Sequence, residues 1–212
     1  MVINFYGEGC FKIQSGNLVI LSDPFEKSVG LTPPRLKADI VLKTLVPFPL
    51  PEKGDEAEET ESILGPGEYN IKGVTINGFP VVKESTDKFL KTTYLAEVEN
   101  MRICFLGHIS ETPDPSILEY LEEIDILFIP AGGEPFIEQK SAAKLVRQLE
   151  PKIVIPSFYK IPSLKRKAGD LKSFLDEFNG SKGESVKEQD KLTIKKKDVD
   201  EIKTPELQVL KV

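Results

Sequence analysis

Three residues, Cys10, Asp23 and His108, could form a catalytic set if the fold brings them together. A thiol becomes a nucleophile when a histidine accepts its proton, and a carboxylate can orient that histidine. The structural alternative is a buried cysteine and a histidine that caps a loop. Because the sequence has no local nucleophile signature, we treat these residues as candidates and assign no catalytic group.

Other residues could bind ions. Glu8 and Asp23, with Glu84 and Asp87, could supply oxygen ligands to Mg²⁺ or Ca²⁺, although the sequence has no spaced ligand loop such as an EF-hand. The amides of Gly132-Gly133 could bind an anion, although paired glycines more often form a tight turn. Neither pattern identifies a bound ion.

Composition excludes a metal centre built from several histidines, because His108 is the only histidine in the chain. The sequence also lacks a phosphate-binding loop, and Gly7-Glu8-Gly9 lacks the third glycine of a dinucleotide fingerprint. We therefore expect no metal and no other cofactor.

Length and charge narrow the classes of function further. The chain has 212 residues, 40% of them hydrophobic, which predicts one domain spanning 1–212. A formal net charge of −6 argues against nucleic-acid binding, and the short basic runs 165–167 and 195–197 are expected to be solvated faces. Two cysteines without a Cys-x-x-Cys motif, no signal peptide and no membrane-spanning stretch predict a cytoplasmic protein. Its partner is unknown, and a twofold homodimer is the commonest assembly.

The hydrophobic pattern predicts a β-rich first half. Residues 2–6 form a strand, and hairpins follow at 10–21, 68–77 and 92–106. Between them, the stretch 38–50 begins as a buried strand and then contains prolines at positions 47 and 49.

The loop after this buried strand lies where α/β folds usually place their chemistry, yet it has no His, Asp, Glu or Cys before Glu52. The acidic run that follows, 52–61, predicts an exposed, mobile loop.

The second half alternates strands and helices. Asp114-Pro115 is a helix start, and apolar residues at helical spacing predict helices over 142–149 and 171–178. The first of these joins strands at 124–129 and 153–155, so we expect a right-handed parallel crossover. The tail predicts strands at 191–195 and 207–210.

Several short motifs, in this order and spacing, resemble the metallo-β-lactamase fold superfamily, most closely its ascorbate-lactonase-like (UlaG-like) hydrolase branch. The matching segments are 7–11 (GEGCF), 23–25 (DPF), 38–44, 65–78 (GPGEYNIKGVTING), 94–107, 125–133 (DILFIPAGG) and 142–159. The resemblance covers about residues 1–160 and implies an α/β fold, a four-layer αββα sandwich of two mixed sheets covered by helices.

The same resemblance implies that the metal ligands are missing. The family's His-x-His-x-Asp-His loop corresponds to 45–50, so its ligand positions are Leu45, Pro47, Pro49 and Leu50. A further family histidine is absent from the loop 81–87. His108 stands where the family has a bridging aspartate, and Phe158 stands where it has its last histidine. These positions imply that Leu45, Phe48, Leu50 and Phe158 fill the former metal cavity as core residues.

The sequence therefore predicts a protein of this fold that no longer performs metal-dependent hydrolysis and has a binding, assembly or regulatory role. The alternative is a hydrolase that acts without the usual metal site, through Cys10 and His108. A third hypothesis keeps the pocket for a small ligand without chemistry.

Overall fold

The computed structural model describes residues 1–50, 60–180 and 188–212. The predicted acidic loop 52–61 therefore falls, except for its last two residues, outside the described part of the chain. In the first half the strands are β1 (Val2–Gly7), β2 (Cys10–Ser15), β3 (Leu18–Ser22), β4 (Ile40–Leu42), β5 (Leu45–Pro47), β6 (Glu61–Ile63), β7 (Gly67–Ile71), β8 (Val74–Pro80) and β9 (Phe89–Val98). In the second half they are β10 (Met101–Phe105), β11 (Ile126–Pro130), β12 (Ile153–Ser157), β13 (Glu188–Gln189), β14 (Leu192–Thr193), β15 (Glu206–Leu207) and β16 (Val209–Leu210).

The α-helices are α1 (Pro115–Leu118), α2 (Gln139–Leu149), α3 (Leu171–Asn179) and α4 (Lys196–Asp200), and there are 3-10 helices at Lys27–Val29 and Val82–Glu84. Within the described ranges, no helix is long and apolar enough to cross a membrane.

The described strands form two mixed sheets and a separate two-stranded sheet, in which β13 and β16 are parallel. Sheet 1 has the order β14-β1-β2-β3-β4-β6, and sheet 2 has the order β15-β12-β11-β10-β9-β8-β7, with β5 paired to β9. In sheet 1 the first hairpins are antiparallel, whereas β3, β4 and β6 run parallel. In sheet 2 the neighbours β10, β11 and β12 are parallel, so the crossover through α2 links parallel strands as predicted.

The main core lies between the two sheets. Alternate residues of β1, such as Ile3 and Phe5, point inward and pack in one cluster with Ile103 and Ile126 of sheet 2. The outer face of sheet 2 packs against α2 and α3 in a second cluster. The outer face of sheet 1 is covered by the segment 25–38, which contains a 3-10 helix rather than an α-helix.

This architecture confirms the predicted α/β class and the two mixed sheets. Details of the tail differ from the prediction: the strand expected at 191–195 is only β14, and α4 follows it. In each basic run, one residue forms an ion pair with a carboxylate from a distant part of the chain and is not a freely solvated side chain. Lys196 donates to both carboxylate oxygens of Asp125 at 2.9 and 3.0 Å, and Arg166 is half-buried against Glu8. The acidic partners lie 71 and 158 positions away in the chain, so a local charge pattern could not reveal them.

Candidate functional site

Three polar side chains meet where strands of both sheets end. Asp23 and Thr44 follow the parallel neighbours β3 and β4, so they emerge at the same edge of sheet 1, and His108 follows β10 of sheet 2. Asp23 accepts hydrogen bonds from the Thr44 amide and from Thr44 Oγ1, each at 2.7 Å. Thr44 Oγ1 lies 2.7 Å from His108 Nδ1, whereas His108 Nδ1 lies 3.8 Å from the nearest carboxylate oxygen of Asp23. The threonine therefore bridges the two ionisable groups.

The direction of these hydrogen bonds follows from the single hydrogen of the Thr44 hydroxyl. Since that hydrogen is donated to Asp23, the hydroxyl oxygen must accept from His108, which places the imidazole hydrogen on Nδ1. Nε2 then carries a lone pair and is the only ring nitrogen that could accept a proton.

Burial opposes charge on both ionisable groups. It lowers the pKa of His108 from its ordinary value near 6.5, and the nearby Asp23 carboxylate only partly opposes this shift. Burial also raises the pKa of Asp23, against the effects of His108 and of the two Thr44 hydrogen bonds. His108 is consequently neutral at pH 7.

Gly107 allows His108 to approach Thr44 closely. Its backbone has a φ of 64°, and a Cβ at this position would lie 2.3 Å from Cβ of Thr44. A side chain would force the two strand ends apart. The Leu-Gly-His run at 106–108 is therefore a local sequence signal for this contact.

Aromatic rings close the site on the other side of His108. The ring centre of Phe158 lies 4.7 Å from the centre of the imidazole and 4.4 Å from the ring centre of Phe136. The ring centre of Phe136 lies 5.6 Å from that of the imidazole. Phe158 is buried, and a Cβ at Gly9 would lie only 2.4 Å from its ring. Phe158 is therefore a core residue that packs on the imidazole.

An ion pair borders the aromatic group. Arg166 donates from Nε and Nη2 to the two carboxylate oxygens of Glu8, at 3.0 and 2.7 Å, and also to the carbonyl of Phe158 at 2.8 Å. Its guanidinium carbon lies 4.9 Å from the centre of the Phe136 ring. These contacts tie the segment after β12 to the turn between β1 and β2.

The side chains of Leu45, Phe48 and Leu50, in and after β5, do not fill the former cavity, contrary to expectation. Their side chains are 37%, 46% and 47% exposed, whereas Val46 is 2% exposed. The cause is the antiparallel pairing of β5 with β9, in which Val46 faces Leu90. Because side chains alternate across a strand, burying Val46 turns Leu45 and Pro47 outward. Pro49 is exposed as well.

The structure does not unite Cys10 with His108. The Cys10 thiol is fully buried on the outer face of sheet 1, in a cluster with Leu21, Ala38 and Val41. Burial, reinforced by the Asp23 carboxylate, raises its pKa strongly, so the thiol stays protonated at neutral pH. Its environment is that of a structural cysteine.

The other candidate ion ligands are dispersed. Glu8 pairs with Arg166, while Glu84 accepts from Lys91 and Ser110. Asp87 is exposed. Across 1–50, 60–180 and 188–212, no three His, Cys, Asp or Glu side chains gather as a metal-binding group.

Close backbone packing explains the glycine pair without an anion. A Cβ at Gly132 would lie 2.2 Å from the carbonyl oxygen of Phe158, and the Gly132 carbonyl accepts a hydrogen bond of 2.8 Å from the Gly169 amide. Gly133 has a φ of 68°, as a tight turn requires.

The residues present do not fit the metal centre that the resemblance implies. Binding of a transition metal requires several N, O or S donors at fixed distances. Leu45, Pro47, Pro49, Leu50 and Phe158 have side chains of carbon alone. The imidazole of His108 forms a hydrogen bond through Nδ1 with Thr44, and the ring of Phe158 packs against it.

Sequence reasoning missed Thr44, Phe136 and Arg166. Arg166 stood in a basic run, and Phe136 follows the glycine pair, but neither pattern indicates a contact with this site. Thr44 precedes the altered loop directly, so its position at the end of β4 was the available signal.

Known proteins share the sequence pattern and the fold of this chain. The profile of the β-lactamase superfamily domain matches residues 2–157. A protein named as a UPF0173 metal-dependent hydrolase of Listeria welshimeri is 26% identical over 226 residues, covering 88% of this chain and 99% of that protein. A UPF0173 protein of Pyrococcus abyssi is 25% identical over 183 residues, covering 75% of this chain and 83% of that one. A crystal structure of a Thermotoga maritima protein of the metallo-β-lactamase superfamily has a TM-score of 0.77 at 25% identity, covering 99% of this chain and 97% of that chain.

Proposed function

The chain belongs to the β-lactamase superfamily, and we propose that it is a non-catalytic member with a binding, assembly or regulatory role. Its place in the ascorbate-lactonase-like branch is part of this proposal and rests on the motifs at 23–25, 65–78 and 125–133. A cytoplasmic location is also part of it, supported by two free, buried cysteines.

One observation carries the proposal: the positions that correspond to the family's ligand loop and last histidine have no donor atoms in their side chains. Pro47 and Pro49 also lack a backbone N–H, and Phe158 packs on the only histidine. In this superfamily a bound metal makes its water acidic enough to attack at neutral pH, and that step needs ligands. The activity in the names of the relatives, metal-dependent hydrolysis, therefore does not extend to this chain.

The alternative hydrolase using Cys10 and His108 has less support. A nucleophilic cysteine needs a partner base within hydrogen-bond reach and access to substrate. Here Nδ1 of His108 is bonded to Thr44, while Cys10 is fully buried and its pKa is raised.

The direct test measures metal bound to the purified chain. We expect less than about 0.1 zinc, manganese or iron per chain after expression in supplemented medium, because a site without ligands has negligible affinity. We also expect an unchanged melting temperature after chelation, since a ligand that does not bind cannot stabilise the folded state. The Listeria welshimeri relative, prepared in the same way, controls for metal lost during purification.

Activity measurements separate the two hypotheses. We expect no turnover of lactone or phosphodiester substrates. Near-stoichiometric metal, or turnover abolished by a chelator, would contradict the proposal. Chelator-resistant turnover that is lost in both Cys10→Ser and His108→Asn would instead establish the metal-free hydrolase.

A further inference from the structure

A cavity of about 300 Å³ lies outside the site described above, between the 3-10 helix Val82–Glu84 and the segment that leads into α1. Its volume is at the lower end of the range of small-molecule pockets, roughly 300–1,000 Å³. None of Asp23, Thr44, His108 or Phe158 lines it. The lining therefore shares no residue with that group, although the 3-10 helix belongs to the loop 81–87.

The cavity has an apolar floor and an aromatic wall. The buried residues Val81, Pro113 and Ile117 line its interior. Phe79 and Tyr120 form the wall, with their rings stacked 5.4 Å apart at an angle of 26°. Tyr120 is nevertheless 63% exposed, so a flat apolar ligand could cover its ring and remove that surface from water.

Glu84 fixes the shape of the cavity. Its carboxylate accepts hydrogen bonds from Lys91 Nζ and from the amide and hydroxyl of Ser110, at 2.7, 2.7 and 2.6 Å. It also accepts from the Glu111 amide at 3.0 Å. These contacts join the 3-10 helix to the segment 110–114 on the opposite side. A ligand would therefore enter a site that is already formed, with little ordering cost.

The charges at the rim favour a cation. Lys83, Glu84, Glu111 and Asp114 line the cavity, and Lys91 neutralises Glu84. Lys83 lies 2.9 Å from Asp114 in an exposed ion pair and also interacts with Glu111, so the three carboxylates exceed the two ammonium groups by one charge. An incoming ammonium group would be attracted here, whereas a carboxylate would have to displace Asp114 from Lys83.

We propose that this cavity binds a small cationic ligand with an aromatic group, an arylalkylamine, with its ring against Tyr120 and its ammonium group beside Glu111 and Asp114. An ammonium close to the aromatic wall would gain a cation–π contact in addition to the carboxylates.

The test is a titration of the full chain with three probes that share a phenylethyl group. Binding is monitored by the changes in backbone amide chemical shifts. The probes are 2-phenylethylamine, 2-phenylethanol and 3-phenylpropionate. We expect saturable shifts at cavity-lining amides at millimolar concentrations, as suits ligands of this size. The amine should bind about tenfold more tightly than the carboxylate, because the excess negative charge attracts the ammonium group and repels the carboxylate.

Variants locate the binding. Tyr120→Ala should weaken amine binding about tenfold, whereas Phe48→Ala, which removes another exposed ring outside the cavity, should leave it unchanged. Asp114→Asn should reduce the preference for the amine over the alcohol, and Asp170→Asn, at an exposed carboxylate elsewhere, should not. A cooperative thermal unfolding transition of Tyr120→Ala, like that of the unaltered chain, shows that the variant folds. The proposal is overturned by absent saturation with the amine, equal binding of all three probes, or an unaltered affinity in Tyr120→Ala.

Discussion

His108 is the residue whose environment can be measured most directly, because it is the only histidine in the chain. Its signals in a long-range ¹H–¹⁵N spectrum need no assignment. We expect a neutral ring protonated on Nδ1 at pH 7 and a pKa below 6.5, because burial disfavours the imidazolium more than Asp23 favours it. A pKa above 6.5, or a hydrogen on Nε2, would contradict the bridge through Thr44.

The lowered pKa of His108 has a consequence for stability. Below pH 6.5 the imidazole of His108 binds a proton more readily in the unfolded chain than in the folded chain. The contribution of His108 to the free energy of unfolding is therefore complete above pH 6.5 and is lost as the pH falls towards the folded pKa. The raised pKa of Asp23 acts in the opposite direction, and Asp23 is present in both chains that are compared. From pH 7 to pH 5.5 the free energy of unfolding should therefore fall less in His108→Gln than in the unaltered chain. Equal slopes in denaturation curves would refute this prediction.

At the residue scale, composition predicted the most consequential fact, that a site of several histidines cannot form. It did not predict the bridge, because Thr44 lies 21 positions from Asp23 and 64 from His108, and a threonine before an apolar loop has no distinguishing pattern. Likewise, a surface arginine and one bonded to Glu8 across 158 positions look alike in sequence. Such contacts depend on the register and approach of two sheets.

Strand β5 shows what the elements add to the residues. Its apolar composition favoured a filled core at Leu45, Phe48 and Leu50, yet pairing with β9 buries Val46 instead. Hydrophobicity predicts that some residue of a strand is buried, but a shift of one residue exchanges the two faces. In longer strands such as β1 the alternation itself shows the buried face. The strand β5 has only three residues, the last of them Pro47, and is too short to show it.

A matched pair of substitutions tests the orientation of β5. Val46→Thr keeps the shape of the side chain but buries a hydroxyl, and should lower the free energy of unfolding by about 1–3 kcal/mol. Leu45→Thr, one position earlier on the exposed face, should change it by no more than about 0.5 kcal/mol. Urea denaturation measures both. Equal losses, or a larger loss at Leu45, would mean that the apolar loop faces the interior after all.

At the scale of the whole molecule, the C-terminal residues beyond the matched family profile complete both sheets. The profile ends at residue 157, whereas β14 pairs with β1 at the edge of sheet 1 and β15 pairs with β12 at the edge of sheet 2. Leu192, Val199 and Leu210 of this region belong to the main core. The sequence predicted strands here but not their partners, because short strands at sheet edges carry little periodicity of their own.

This arrangement predicts that 1–212 unfolds as one cooperative unit, with no separately stable body ending near residue 160. The amides of Ile194 and Gln208 donate to Met1 and Val154 of the two sheets, at 3.1 and 2.9 Å. In native-state hydrogen exchange they should open with nearly the same free energy as amides of β11, because releasing them uncovers a core edge of each sheet. Truncation after residue 187 should give a chain without a cooperative thermal transition. Early exchange confined to 188–212, or a truncated chain that melts like the full one, would show instead that the tail is an appendage on an independent domain.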